Sequence, residues 1–366
     1  GYDETKIDTR IIKYQKTQNK SGLQYKVVIE TTPFYAESGG QVGDSGYLHF
    51  SSGAKIKVLD TKKENDLIVH IVTDSGIEQV INEELSAEID VSRRRVITQN
   101  HSSTHLLQAA LQGILGKHVG QKGSLVNEEI LRFDFSHFQK VSDEEIKQIE
   151  SIVNAKIAEN IPLLEERNVP IAQAKDKGAM ALFGEKYGDF VRVITFDKNF
   201  SVELCGGTHV PQTSQIGLFK ISSEGSISSG VRRIEAITAT AAEQYLREQE
   251  GLVKELQELL KNPRDLVKAV ETLIQERNEL RKEVEHLHLE KAAGVKEQLK
   301  GQFVEKEGKQ VLIASVELPN ADSLKKLVYE LKNEVFKACI VLAASISNTP
   351  QVAVFIDESL LESTGL

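Results

Sequence analysis

Two short stretches of this sequence carry residues whose types and spacing can do chemistry together. In QNHSSTHLLQ, His101 and His105 stand four apart at the start of an expected helix, which puts both imidazoles on one face within reach of a single metal ion. Alone the pair is weak. With nine histidines in 366 residues, an accidental H-x-x-x-H arises in roughly one such chain in five, and its plain alternative is a polar pair at a helix N-terminus. In Cys205-Gly-Gly-Thr-His209 a thiol and an imidazole are again four apart, in a turn too glycine-rich to be helical. Requiring one of only two cysteines to have a histidine at that distance brings coincidence down to roughly one in a hundred. A mixed nitrogen and sulfur set suits zinc, whereas calcium or magnesium would call for oxygen ligands. Zn2+, one per chain, is therefore the expected metal.

Stepping from these residues to the elements that must hold them, residues 1–93 are rich in β-branched, alternating runs such as YKVVIETT and DLIVHIVT broken by turn residues, the signature of a small antiparallel sheet or barrel. Inside it FYAESGGQVGDSG (Phe34 to Gly46) is too rich in glycine for a strand and reads as a shaped loop. From Arg95 the period turns helical, with Leu106, Leu107, Ala110, Leu111, Ile114 and Leu115 on one stripe closed by Gly116. Ser142-Asp143-Glu144-Glu145 reads as the capped, acidic start of a second helix. FVRVITF, GLFKISS and VRRIEAI return to strand, so residues 94–240 form an α+β domain.

Residues 241–301 predict a helical hairpin or coiled-coil linker, with Asn262 capping and Pro263 in the first turn of its second arm and heptad-like Leu266, Val270, Leu273, Leu280, Val284 and Leu287. Residues 302–366 predict a small α/β unit around a helix from about Asp322 to Phe336, stopping in a serine-, threonine- and glycine-containing tail that suggests an incomplete domain. The expected whole is an α+β multidomain chain: N-terminal antiparallel β-barrel, α+β zinc domain, helical hairpin and C-terminal α/β unit.

Composition narrows the classes. A 366-residue chain that is 40% hydrophobic exceeds one core. It shows no 18-residue apolar run and no secretory leader, so a soluble cytoplasmic protein without a membrane is expected. Cys205 and Cys339 are too few for a disulfide framework. A net charge of −9 argues against a nonspecific nucleic-acid coat but leaves room for a local basic groove. Arg93, Arg94 and Arg95, taken singly, read as solvated surface.

Taken together, NHSSTHLL, HVGQKGSLV, RFDFSH, ELCGGTHV and GVRRIEAIT resemble the editing domain of bacterial-type alanyl-tRNA synthetases and of the related free-standing AlaX editing proteins. PFYAESGGQVGDSG is similar to the signature of the β-barrel before that domain, and the hairpin and final unit are similar to the C-terminal domain, so the resemblance spans nearly the whole chain. It implies hydrolytic deacylation of mischarged Ser-tRNA(Ala) and Gly-tRNA(Ala), with the acceptor end of tRNA(Ala) as partner and a homo-oligomer formed through the C-terminal region. A pocket sized for alanine excludes glycine and serine poorly, so a second sieve is needed. Hydrolysis of the ester needs a placed water and charge stabilisation at the developing oxygen, both within the means of a zinc with an open position.

Carried over by position, the metal ligands are His101, His105, Cys205 and His209. Gln121 matches a glutamine implicated in editing, as a hydrogen-bond partner of the amino acid or water. Thr104 could bond a hydroxyl, or be simply a helix-start residue. Arg132 and Arg232 are expected at phosphate or terminal adenosine, with an internal salt bridge as the alternative. His118 and His137 are reserve proton carriers that read first as packing or surface histidines. The class II aminoacylation core is absent from the pattern, so no ligase activity is expected, and Ala239 stands where the family usually has glycine. Two other readings stay open: a tRNA-binding module with a purely structural zinc, and a metallohydrolase of small molecules. The number of ligands held at once decides between a catalytic and an anchoring metal.

Overall fold

The computed structural model describes residues 1–19, 22–180, 188–346 and 348–360, which fall into two compact units, Gly1–Leu252 and Val253–Leu366. The chain is α+β with several antiparallel sheets. The serine-, threonine- and glycine-containing tail lies outside the described residues.

The first unit opens with strands β1 (Lys6–Asn19), β2 (Gly22–Ile29), β3 (Gly46–Phe50), β4 (Lys55–Val58), β5 (Asp60–Glu64) and β6 (Leu67–Val72), a short helix α1 (Ile77–Val80) and β7 (Glu84–Ile89). Among the described residues these strands form one antiparallel sheet in the order β4-β3-β7-β1-β2-β6-β5. The Leu59 amide just after β4 donates to Ile71 O on β6 at 2.9 Å, so the sheet curls back toward its far side. Alternation along β2, β3 and β7 turns Tyr25, Val27, Leu48, Phe50, Leu85 and Ala87 into a shared core.

Asp90 then caps a long helix, α2 (Val91–Leu115), accepting from the Arg93 amide at 2.9 Å. It starts earlier than the apolar stripe predicts, because its first three turns bury polar side chains, and Gly116, at φ +114°, ends it as expected. Around α2 stand β8 (Gln121–Val126), β9 (Leu131–Ser136), α3 (Asp143–Ala158), β10 (Leu164–Pro170), α4 (Ile171–Asp176), β11 (Phe190–Phe196), β12 (Ser201–Leu204), β13 (Phe219–Ser228) and β14 (Val231–Thr238). They make two antiparallel sheets, β13-β14-β9-β8 and β10-β11-β12. Leu106, Leu107 and Leu111 of α2 pack with Phe133 and Phe135 of β9 and Ile149 and Val153 of α3 in one core. The expected cap of α3 is present as a reciprocal Ser142–Glu145 capping box.

Helix α5 (Ala239–Leu259) runs across the division between the units, and α6 (Leu266–Lys300) lies in the second. Asp265, not Asn262, caps α6, accepting from the Lys268 amide at 3.0 Å; Asn262 instead takes φ +54° in the turn before it. The heptad side chains Leu273, Leu280, Val284 and Leu287 of α6 are exposed. The second unit ends in β15 (Val304–Lys306), β16 (Lys309–Val316), α7 (Ala321–Lys332), β17 (Ala338–Ile346) and β18 (Thr349–Ile356). Parallel pairing of β16 and β17 across α7 is the expected βαβ crossover, flanked by antiparallel β15 and β18.

Candidate metal centre

His101 and His105 lie in the middle of α2, not at its start, in a stretch buried on all sides that includes Ser102, Ser103 and Thr104. One sheet away, β12 delivers Cys205 and the loop to His209. A side-chain carbon at Gly207 would lie 1.9 Å from His101 Cε1, so only glycine lets the loop descend onto the imidazole. Cys205 Sγ is then 3.4 Å from His101 Nε2 and 3.3 Å from His209 Nε2, and one donor atom from each of the four residues falls within 4.8 Å of the others.

The neighbours fix which atoms face inward. His101 Nδ1 lies 2.7 Å from Gln41 Oε1, an oxygen that can only accept, so this nitrogen carries the proton and Nε2 keeps its lone pair. Ser102 Oγ donates to Thr98 O at 2.9 Å and lies 3.2 Å from His209 Nδ1, which assigns His209 the same tautomer. His105 Nδ1 is buried without a hydrogen-bond partner. Burial pulls the His101 imidazole down to about 3 and those of His105 and His209 well below the usual value, with the Arg192 charge acting in the same direction. All three are neutral near pH 7 and offer lone pairs. A buried thiol and converging neutral imidazoles, one with an orphaned nitrogen, could hold a metal ion.

Several residues that build this centre escaped the sequence reading. Gln41, fully buried in the glycine-rich loop between β2 and β3, accepts from both His101 and the Thr208 amide (2.9 Å) and donates to Thr208 Oγ1 (2.9 Å). Arg94 is buried and forked onto Asp44 of the same loop, which corrects its reading as solvated surface. Arg192 of β11 donates to Cys205 O at 3.1 Å and Gly207 O at 2.6 Å, bonds Glu165 at 2.7 Å and lies under the Tyr2 ring. Glu203 of β12 is buried with Oε2 3.6 Å from His105 Nε2, and burial pushes its carboxyl up to about 8. The available signal was a run of polar residues on a helix that had to be buried, beside a loop too glycine-rich to be idle.

The remaining site candidates are placed differently. Thr104 is buried beside the pair, but its hydroxyl donates to Asn100 O at 3.0 Å within the helix. Gln121 begins β8, where it stands opposite Phe135 of β9 and is partly buried. Arg232 is held by Glu224 in a two-point ion pair through Nε and Nη2, the alternative weighed for it. Arg132, half-buried on β9, has its Nε unpaired. His118 Nε2 and His137 Nδ1 are 2.9 Å apart, with the rings stacked.

Comparison with known proteins agrees with this picture. A family model described as the threonyl and alanyl tRNA synthetase second additional domain matches residues 191–235, which contain Cys205 and His209, and one described as tRNA synthetases class II (A) matches residues 1–93. An alanine-tRNA ligase of Cytophaga hutchinsonii is 51% identical over 367 residues, covering 100% of this chain and 41% of that protein. Those of Parabacteroides distasonis and Flavobacterium psychrophilum are 45% and 44% identical, over 95% and 100% of this chain and 39% and 42% of theirs. The chain thus spans about two-fifths of the length of these relatives. Among the described residues no helix is long and apolar enough to cross a membrane. With end-to-end similarity of this depth, and the second-additional-domain match falling on Cys205 and His209 of the candidate cluster, the chain belongs to the alanine-tRNA ligase family.

Proposed function

We propose that residues 94–240 are a zinc-dependent editing domain that hydrolyses the ester of Ser-tRNA(Ala) and Gly-tRNA(Ala). The observation that carries this is the convergence of His101, His105, Cys205 and His209 from two elements about a hundred residues apart, with their donor atoms within 4.8 Å. Nitrogen and sulfur donors of this kind favour zinc over a hard cation. When bound, zinc supplies a Lewis acid that polarises the ester carbonyl and offsets charge developing on its oxygen.

The protein's own groups do the rest. Gln41 and Ser102 hold His101 and His209 in single tautomers, and Arg192 ties down the carbonyls of the cysteine loop, so the donors are oriented before substrate arrives. His209 is only partly buried and Gly206 beside it is exposed, which makes this the side from which an acceptor end enters. Thr104 serves there as a stiffener of the ligand-bearing turn. Gln121 is proposed as a hydrogen-bond partner of the substrate amino acid or of the water, and Arg132 as a contact to phosphate or the terminal adenosine.

The test is incubation with Ser-tRNA(Ala), Ala-tRNA(Ala) and a simple amino-acid ester, comparing the intact protein with Cys205→Ala and Gln121→His. Release of serine from the first substrate alone, lost in Cys205→Ala, supports editing; equal release from all three sinks it. A second reading, a tRNA-binding module with a purely structural zinc, is favoured by the four-donor count, which would complete a tetrahedral sphere. It predicts a fold that collapses without metal and no turnover.

A further inference from the structure

Glu203 has no part in the chemistry above, yet it sits against the centre. It lies on β12 two residues before Cys205 and is 2% exposed. One carboxyl oxygen accepts from Ser201 Oγ at 3.4 Å and the other is 3.6 Å from His105 Nε2; among the described residues no lysine or arginine pairs with it. Carboxyl groups this deep are normally paired with a cation or placed beside a metal. The ionisable group it meets, His105, is a candidate ligand. Three neutral imidazoles and one thiolate around a dication leave one positive charge in a buried site, and a single carboxylate balances it.

We propose that Glu203 is the outer carboxylate of the metal centre: it steadies the ring of His105 for ligation and supplies the counter-charge for the bound ion. At 3.6 Å the contact is a little longer than a hydrogen bond, and a small rotation of the imidazole closes it. This rests on reading the four residues as a zinc site. Partners of this kind typically change metal affinity by about 10- to 100-fold. A residue present only to fill the core would behave differently, because an amide of the same shape fills the same space.

The experiment is equilibrium competition for zinc against a chromophoric chelator, with thermal melts of the metal-free proteins, for the full chain and for Glu203→Gln, Glu203→Ala, Glu203→Asp and Cys205→Ala. The expected result is zinc affinity weakened about 10- to 100-fold in Glu203→Gln and Glu203→Ala, partial recovery in Glu203→Asp, and metal-free melts no lower than that of the parent. Affinities within twofold of the parent in both neutral variants would overturn the assignment, as would a parallel loss of the metal-free fold. A parent that takes up no zinc, or a Cys205→Ala variant that binds it as tightly, would overturn the site reading itself and Glu203's role with it.

Discussion

Replacing Gln41 by leucine tests whether the glycine-rich loop is part of the metal centre or merely near it. Leucine matches the volume of glutamine closely but accepts nothing, so His101 Nδ1–H and the Thr208 amide would both lose their acceptor inside the protein. The Thr208 hydroxyl would keep its contact to Thr98 Oγ1 at 3.0 Å. Each orphaned buried donor costs about 1–3 kcal/mol, giving about 2–6 kcal/mol in all, a large part of the ~5–15 kcal/mol that holds a typical domain folded. Freed of Gln41, His101 can also turn, which should weaken zinc binding about 10- to 100-fold. Urea unfolding midpoints with and without zinc read the first effect and chelator competition reads the second. An unchanged midpoint together with zinc affinity within twofold of the parent would refute the reasoning.

Other perturbations probe neighbouring parts of the account. Gly207→Ala places a methyl group where His101 Cε1 lies 1.9 Å away and Gln41 Oε1 2.9 Å away, so the loop must lift; zinc affinity should fall by more than about tenfold, at about 1–3 kcal/mol of stability, by chelator competition and urea unfolding. His70 is buried between Val27 O and Thr32 Oγ1, and burial lowers it from 6.5 to about 4. Below pH 6.5 the unfolded chain takes up a proton that the folded one refuses, so this contribution is whole above pH 6.5 and is lost as pH falls toward 4. The loss is about 3 kcal/mol, and urea midpoints of His70→Gln should show a flatter acid limb between those values than the parent. Ala239 takes φ +48°, a left-handed conformation that suits glycine, with its Cα close over Gly217. Ala239→Gly should therefore gain about 1 kcal/mol, seen as a melting temperature about 2–4 °C higher; a lower one would count against the strain.

How far the sequence could be read depended on whether apolar periodicity marked the element. Strands such as YKVVIETT and FVRVITF, the α3 cap at Ser142 and the βαβ unit after residue 302 follow from alternation and capping chemistry alone. Helix α2 was legible only from its second half, where Leu106, Leu107 and Leu111 make a stripe. Its first four turns bury Asn100, His101, Ser102, Ser103 and Thr104, a polar girdle that no hydrophobic pattern reveals and that is stable only because each group finds a partner, such as Thr238 Oγ1 to Asn100 Oδ1 at 2.7 Å. The four candidate ligands were found because spacing of His and Cys is a local signal. Gln41 and Arg192 were not, because their roles exist only once distant segments fold together.

The central claim is that the His101, His105, Cys205 and His209 centre hydrolyses a wrongly attached amino acid. The most direct measurement is the rate of serine release from Ser-tRNA(Ala) as the protein is titrated from zinc-free to one zinc per chain, with Ala-tRNA(Ala) run in parallel. The account predicts that serine release rises in step with zinc occupancy and is absent from Cys205→Ala, while alanine release stays near the rate without protein. Serine release that is independent of zinc, or that persists in a folded Cys205→Ala protein, would contradict it.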